Sequence, residues 1–221
     1  MEQITLTKEN SKEVALQTAK ILKGDGVVVT PSETVYGLSA DPTSELAVQK
    51  VYSIKERSFN KPLGIIAGTT KMIEDCFLLN ETERFVIKHF WPGPLGLRLL
   101  VNTGTQVNKI AQLILSGCTE ALGGLVIRVS SNSLLTTLSN TLGYPIISTS
   151  ANISGQSACY AVSDIIEQFK DSEIQPDLII DAGALPQTLP STMLDLTGNT
   201  PIIIRKGADF EKVEKVLGTL E

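Results

Sequence analysis

Apolar and polar residues along the chain follow two periods, one typical of helices and one typical of buried strands. In residues 11–22, apolar positions recur at helical spacing, and Gly24-Asp25-Gly26 ends the predicted helix. Residues 26–30 are short, apolar and rich in valine, which predicts a buried strand. The same change from helical to strand periodicity recurs through the rest of the chain.

Further helices and strands are predicted in alternation. Helices are predicted at residues 43–54, 80–89 and 131–142, from Ser163 onwards, and at the C-terminal end. Strands are predicted at residues 63–67, 95–101, 125–129, 145–148, 178–180, 193–196 and 202–205. Such interleaving favours an α/β sheet with helices on its faces. No linker or internal repeat divides the 221 residues, so a single domain over residues 1–221 is predicted.

Composition narrows the class of protein. A hydrophobic fraction of 42% and a charged fraction of 19% are typical of a globular protein with a substantial core. A net charge of -5 argues against a sequence-independent nucleic-acid coat, although a local basic cleft stays open. Cys76, Cys118 and Cys159 lack metal-ligand spacing, and a reducing cytoplasm fits them best. No signal core or membrane-length apolar run is present, so no membrane role is expected.

The residues that could carry chemistry do not form a catalytic triad. The only histidine, His89, lies in a helical pattern, and neither common glycine-rich phosphate motif is present. Lys55, Arg57 and Lys61 instead place three cations on a short segment after a helix, where Arg and Lys can hold phosphate oxygens. The alternative is that Lys55 and Arg57 simply stabilise the last carbonyls of that helix.

Two further features suggest a polar ligand. Small polar residues from Ser148 to Ser154 follow an apolar strand; they form either a ligand-binding loop or a turn with local hydrogen bonds. Arg128 interrupts an apolar strand and must be paired, exposed or facing a ligand, of which a carboxylate is one. Arg205 repeats this pattern, with a surface ion pair as the alternative. Glu33 is an acidic candidate without paired carboxylate spacing.

Taken together, seven segments resemble the YrdC-domain family in their order along the chain. They are Pro31-Ser32-Glu33-Thr34-Val35-Tyr36-Gly37, Lys55-x-Arg57 with Pro62-Leu63, Trp91-Pro92-Gly93-Pro94-Leu95, Arg128-Val129, Ser148-Thr149-Ser150-Ala151-Asn152-x-Ser154-Gly155, Pro190-Ser191-Thr192 with Asp195, and Arg205-x-Gly207. The resemblance covers nearly the whole chain.

This resemblance implies a fold and an activity. The fold would be a twisted mixed α/β sheet flanked by helices, with a concave basic cavity. The best-known members are L-threonylcarbamoyladenylate synthases, which are nucleotidyltransferases. They convert L-threonine, bicarbonate and ATP, with Mg²⁺, into threonylcarbamoyl-AMP and pyrophosphate for tRNA modification. The resemblance also implies a downstream tRNA-modifying transferase complex, contact with tRNA or double-stranded RNA, and a cytoplasmic location.

The resemblance assigns site residues by motif position. Lys55 and Arg57 would hold ATP phosphates and act in catalysis; Ser148 and Arg205 would contact the nucleotide. Ser150 and Asn152 would line both the nucleotide and the threonine sites. The residues that would enclose threonine are Ser32, Tyr36, Ser191 and Arg128, with Arg128 on the carboxylate. No protein ligand for a metal is assigned.

The chain departs from the family pattern at four places, all of which bear on threonine more than on ATP. Ser32 and Gly96 stand where threonine is common, Ile66 where many members have histidine, and residues 130–133 replace a segment with proline and histidine. Two other functions therefore stay open: a YrdC-like paralogue with a different substrate, and an RNA-binding module without synthase activity.

Overall fold

The architecture is a mixed α/β sheet flanked by helices, as predicted. The computed structural model describes residues 1–101, 106–115 and 124–219. The ten strands are β1 (Glu2–Thr5), β2 (Val28–Thr30), β3 (Gly37–Ala40), β4 (Ile65–Ala67), β5 (Leu95–Leu100), β6 (Gly124–Val129), β7 (Ile146–Ser150), β8 (Leu178–Asp181), β9 (Thr192–Asp195) and β10 (Ile202–Arg205). The helices are α1 (Ser11–Lys23), α2 (Glu45–Ile54), α3 (Thr70–Glu74), α4 (Glu81–Phe90), α5 (Gln106–Leu115), α6 (Ser133–Leu142), α7 (Val162–Phe169) and α8 (Phe210–Leu217).

All ten strands belong to one sheet, in the order β1-β8-β2-β3-β7-β4-β6-β5-β9-β10. Strand β8 pairs in parallel with β1 and β2, β4 with β6, and β5 with β9. The remaining pairs are antiparallel. Strands far apart in sequence therefore become neighbours, which brings the N-terminal third of the chain beside residues 124–150.

Capping residues set where the helices begin. Ser44 accepts the backbone N–H of Ala47 at the start of α2, and Asn80 and Glu83 form a reciprocal capping box at the start of α4. Asn132 accepts two backbone N–H groups at the start of α6, so this helix begins at Ser133, two residues later than predicted. The altered segment 130–133 thus has a structural role as a helix cap.

Strand residues alternate between two apolar clusters, one on each face of the sheet. In β4, Ile65 joins the larger cluster, which includes residues of α2, α4, α5 and α7. Its neighbour Ile66 joins a smaller cluster with residues of α1 and α6. Among the described residues, α1 and α6 are the helices that contribute to the smaller cluster, and the part of this face beyond their reach carries polar side chains with a few apolar ones.

Most elements agree with the predicted ones, and the omissions have physical causes. The strand β1 was not predicted because most of its side chains are exposed. The strand β3, Gly37-Leu38-Ser39-Ala40, is fully buried yet contains no β-branched residue. The helices α3 and α5 were also missed. Cys118 lies outside the described residues. Among those residues, no helix has the length and apolar character needed to cross a bilayer.

A close approach at Gly207 fixes the residues just before β9 relative to the segment before α8. A Cβ atom at Gly207 would lie 2.0 Å from the carbonyl oxygen of Pro190, whereas a Cβ at Gly198 would meet nothing within 4 Å. We expect Gly207→Ala to lower the free energy of unfolding by about 1–3 kcal/mol, because backbone atoms must move. Chemical denaturation measures this change, with Gly198→Ala as the control. Equal unfolding midpoints for the two variants would contradict the assignment.

Candidate active site

A cavity of about 520 Å³ lies on the sheet face that α1 and α6 leave uncovered. Its floor uses the alternation of strand side chains: Ser148 and Ser150 of β7, Val126 and Arg128 of β6, and Arg98 of β5 line it. Its walls come from the turn before β3, the segment after α2, and the ends of β9 and β10. Five lining residues are Lys or Arg, and none of the described lining residues is Asp or Glu. The lining therefore suits an anionic ligand.

Eight of the ten predicted site residues line this one cavity although they are distant in sequence. They are Ser32, Arg57, Arg128, Ser148, Ser150, Asn152, Ser191 and Arg205. The sheet order explains the convergence, because β3, β7, β4, β6, β5, β9 and β10 are consecutive neighbours. Lys55 and Tyr36 are not among the lining residues.

Lys55 is buried beneath the cavity wall, with only 1% of its surface exposed. Its ammonium donates to the carbonyl oxygens of Ser150 and Asn152, the latter at 2.9 Å, and to Asn152 Oδ1 at 3.3 Å. The three hydrogen-bonding directions of an ammonium group are thus matched by three protein oxygens. The structure therefore places Lys55 where it holds the 150–152 segment, and its predicted contact with the ATP phosphates stays a prediction.

Burial and hydrogen bonding act on the Lys55 ammonium in opposite directions. Burial disfavours the charged form, and together with the positive charge of Arg57 it lowers the pKa of Lys55 to about 7, from an ordinary value of 10.5. The three oxygen acceptors favour the charged form, but burial is the larger effect. The hydrogen bonds that hold the 150–152 segment therefore come from an amine with a pKa near neutral pH.

The 150–152 segment is also fixed by its own side chains. Ser150 Oγ donates to Asn152 Oδ1 at 2.5 Å, and Asn152 Nδ2 donates to the carbonyls of Ile153 and Gln156. Tyr36 supports the segment from behind, since its carbonyl accepts the N–H of Ala151. The Tyr36 hydroxyl donates to the Gly183 carbonyl, at 2.7 Å. Tyr36 therefore lies behind the cavity wall, where it joins two turns.

Arg57 faces the cavity although it lies only two residues after Lys55. Glu56 between them has a left-handed backbone, with φ 47°, which changes the direction of the chain. Arg57 Nε and Nη2 donate to the carbonyls of Lys61 and Pro62, at 3.1 and 3.0 Å. These bonds fold residues 57–62 into a compact loop, from which the side chain of Arg57 and the exposed Lys61 reach the cavity.

Arg128 is largely buried and forms an ion pair with Glu33. The second carboxylate oxygen of Glu33 accepts the hydroxyl of Ser130 at 2.5 Å. Ser32, next to Glu33, accepts the N–H groups of Thr34 and Val35 and donates to the Val35 carbonyl, which shapes the turn. The cavity-lining Arg128 thus already has an acidic protein partner.

Arg205 lies on the opposite side of the cavity from the 150–152 segment, at the end of β10. Its Nε donates to the Ser191 carbonyl at 3.0 Å, which links two lining residues. Partial burial and, secondarily, the positive charge of Arg128 lower the pKa of Arg205. The two guanidinium groups are therefore close enough to repel each other, and an anion between them would relieve that repulsion.

Arg98 also lines the cavity and was not among the predicted site residues. It forms a partly buried ion pair with Asp195 at 2.9 Å. Its Nε is buried and has no hydrogen-bond partner among the described residues. The sequence did contain a pattern that could have identified Arg98 as a site residue, because Arg98 interrupts the apolar strand β5 just as Arg128 interrupts β6.

The described residues offer no activated nucleophile for covalent catalysis at this cavity. Burial raises the pKa of the Cys159 thiol to about 11, and burial also raises the pKa of Cys76. Both thiols therefore stay protonated at neutral pH. His89 lies on α4, outside the cavity lining, with Nδ1 at 2.8 Å from the Phe85 carbonyl. The arrangement is suited to binding and orienting anionic reactants.

The buried amine of Lys55 predicts a pH-dependent stability. Between pH 7 and 10.5 the unfolded chain binds a proton at Lys55 that the folded protein has lost, so the unfolding free energy rises with pH. Lys55→Met removes this dependence, and the wild type should gain about 2 kcal/mol over this variant from pH 7 to pH 9. Urea unfolding at several pH values measures the difference, with the exposed Lys12→Met as control. A difference that does not change with pH would contradict the assignment.

Comparisons with known proteins identify the family to which the chain is related. The family profile described as "Telomere recombination", Sua5/YciO/YrdC, matches residues 20–207. A threonylcarbamoyl-AMP synthase of Psychromonas ingrahamii is 34% identical over 166 residues, covering 74% of this chain and 82% of that protein. The crystal structure of P. abyssi Sua5 complexed with L-threonine superposes with a TM-score of 0.83 at 28% identity.

Coverage differs between these relatives. The chain aligns over 98% of its own length with P. abyssi Sua5 but spans only 60% of that protein. The structure of E. coli YciO is similar over 94% of this chain and 95% of its own length, with a TM-score of 0.77. At 21% identity, YciO supports the fold alone. With a profile match over most of its length, the chain belongs to the Sua5/YciO/YrdC family.

Proposed function

We propose that this protein is an L-threonylcarbamoyladenylate synthase. It converts L-threonine, bicarbonate and ATP into threonylcarbamoyl-AMP and pyrophosphate. The observation that carries the proposal is the convergence of Arg57, Arg128 and Arg205 with serine hydroxyls and Asn152 in one cavity whose described lining contains no carboxylate. The relatives named threonylcarbamoyl-AMP synthase supply the reaction, and the threonine-bound relative supports the amino-acid substrate.

The threonine subsite is assigned to the Arg128 side of the cavity. Arg128 would bind the substrate carboxylate, and Ser32 and Ser191 would border the amino acid. The Ser32 hydroxyl donates to the Val35 carbonyl and accepts two backbone N–H groups, so Ser32 would border the amino acid mainly by shaping the turn. Ile66, at the position where many members have histidine, is buried and packs in the cluster formed with α1 and α6.

The nucleotide subsite is assigned to the Arg57 side. Arg57 and Lys61 would hold the phosphates, and Ser148, Ser150 and Asn152 would border the nucleotide, with Arg205 reaching it from β10. Lys55 would act indirectly, by fixing the 150–152 segment. The described lining offers hydroxyls but no carboxylate to a metal, so Mg²⁺ would enter on the phosphates as part of the substrate.

The proposed chemistry needs positioned reactants and charge neutralisation. The threonine amine attacks bicarbonate; a carbamate forms and one water molecule leaves. A carbamate oxygen then attacks the α-phosphorus of ATP, and the bond between that phosphorus and the bridging oxygen of the β-phosphate breaks, which releases pyrophosphate. The guanidinium groups would stabilise the negative charge on the phosphates. Holding the carbamate and the α-phosphorus in line supplies much of the acceleration.

We further propose that the product is used for tRNA modification. The carbamoyl–phosphate anhydride is hydrolysed readily, so a downstream tRNA-modifying transferase complex would receive it without long storage in water. Direct contact with tRNA or double-stranded RNA and a cytoplasmic location stay predictions. The net charge of -5 limits any RNA contact to a local surface.

The direct test of the proposed function is pyrophosphate release from ATP with Mg²⁺ and bicarbonate, with and without L-threonine. We expect threonine-dependent release and an adenylate of the mass of threonylcarbamoyl-AMP. No release from folded protein would contradict the proposal and favour a paralogue with a different substrate. A salt-sensitive RNA complex without turnover would favour the RNA-binding alternative.

Two arginine substitutions should separate the subsites. Arg57→Ala should lower kcat/KM for ATP at least tenfold, because a charge-assisted contact contributes roughly 1.5–3 kcal/mol. Arg128→Ala should raise the KM for threonine more than the KM for ATP. Steady-state kinetics with each substrate varied in turn measures both effects. Arg84→Ala is the matched control, because Arg84 pairs with Glu74 on the surface. The reverse pattern would mean that the subsites are exchanged.

A further inference from the structure

The carboxylate of Glu33 connects the turn before β3 to the end of β6. One oxygen accepts from Arg128 Nη1 and the other from Ser130 Oγ. The side chains of Glu33 and Arg128 are only 15% and 12% exposed. Since β7 and β4 lie between β3 and β6 in the sheet, this contact spans two strands at the edge of the cavity. Because this contact joins two distant parts of the sheet and its side chains are largely buried, it fixes the positions of both Glu33 and Arg128.

Arg128 uses only one of its donor groups for this contact. Among the described residues, its Nε and Nη2 have no hydrogen-bond partner, and its side chain lines the cavity. The Nε–Nη2 edge of a guanidinium group has two parallel N–H bonds that match the two oxygens of a carboxylate. Glu33 therefore occupies one end of Arg128 and leaves the edge that suits a ligand carboxylate.

We propose that Glu33 is a positioning residue for the amino-acid substrate. It holds the Arg128 guanidinium so that the Nε–Nη2 edge faces the cavity, and it thereby sets the affinity for the substrate carboxylate. This inference rests on the proposed function for the identity of the substrate. The orientation of Arg128 can be measured without any substrate.

Hydrogen bonds in the turn around Glu33 fix the direction of its carboxylate. The Ser32 hydroxyl holds the backbone N–H groups of Thr34 and Val35, which closes a tight turn around Glu33. On the other side, Ser130 Oγ also accepts the N–H of Asn132, the residue that caps α6. Both ends of the contact are thus anchored in backbone structure, as expected for a residue that orients another side chain.

Two substitutions distinguish a positioning role from acid–base catalysis. Glu33→Gln keeps an acceptor for Arg128 and a polar group for Ser130, whereas Glu33→Ala removes both contacts. If Glu33 orients Arg128, Glu33→Ala should raise the KM for threonine about tenfold or more, and Glu33→Gln should change it less than about threefold. The KM for ATP should stay within about twofold in both variants. If Glu33 transferred a proton, Glu33→Gln would lower kcat as much as Glu33→Ala.

A double-mutant cycle with Arg128→Ala tests whether Glu33 acts through Arg128. The effect of Glu33→Ala on threonine KM should disappear in the Arg128→Ala background, because the group that Glu33 orients is then absent. Glu74→Ala, which breaks the exposed pair with Arg84, is the matched control and should leave the kinetics unchanged. Additive effects of the two substitutions would overturn the proposal.

The orientation of Arg128 can be followed by ¹⁵N NMR of arginine Nε–Hε groups in the substrate-free protein. Loss of one signal in Arg128→Lys assigns the Arg128 resonance. That signal should persist in Glu33→Gln and broaden or disappear in Glu33→Ala, with the fold checked by circular dichroism. An unchanged Arg128 signal in folded Glu33→Ala would overturn the positioning role even if the wild type proved not to use threonine. Absence of turnover in the wild type would instead contradict the proposed function.

Discussion

The buried ammonium of Lys55 is the contact on which the shape of the cavity depends. It joins the end of α2 to the carbonyls of Ser150 and Asn152 at the end of β7. Removing one partner of such a contact would leave buried carbonyl oxygens without a donor, which costs more than the contact itself contributes. Lys55 therefore determines where Ser150 and Asn152 lie relative to Arg57, and an ionisable group at that position makes the wall sensitive to pH.

A second charge contact of a different kind fixes another part of the cavity. Glu33 and Arg128 pair at the edge of the cavity, where Arg128 keeps donors for a ligand. The Lys55 ammonium donates all of its hydrogen bonds to protein oxygens, whereas Arg128 donates to Glu33 and keeps other N–H groups for a ligand in the cavity. The Glu33–Arg128 contact reaches across β7 and β4, and the Lys55 contact holds the end of β7, so the two contacts fix neighbouring parts of one sheet. The cavity is thus preorganised by charges outside its own lining as well as within it.

Periodicity and capping signals were enough to predict most elements, and motif order was enough to predict the family. The helix at residues 80–89 was predicted within a residue because Asn80 and Glu83 act locally as a capping box. The direction of Lys55 could not be predicted in this way. It depends on carbonyls almost a hundred residues away, and the left-handed backbone of Glu56 then turns Arg57 toward the cavity. Glu33 was noted only as an unpaired acid, because its partner Arg128 is distant in sequence and close only in the sheet.

In the proposed arrangement, one cavity holds threonine on Arg128 and the nucleotide near Arg57, while Lys55 supports the wall from behind. A crystal structure of the protein with L-threonine and a non-hydrolysable ATP analogue tests it most directly. We expect the threonine carboxylate on the Nε–Nη2 edge of Arg128, phosphate oxygens on Arg57, and Lys55 still bonded to Ser150 and Asn152. Phosphate oxygens on the Lys55 ammonium, or threonine away from Arg128, would contradict it.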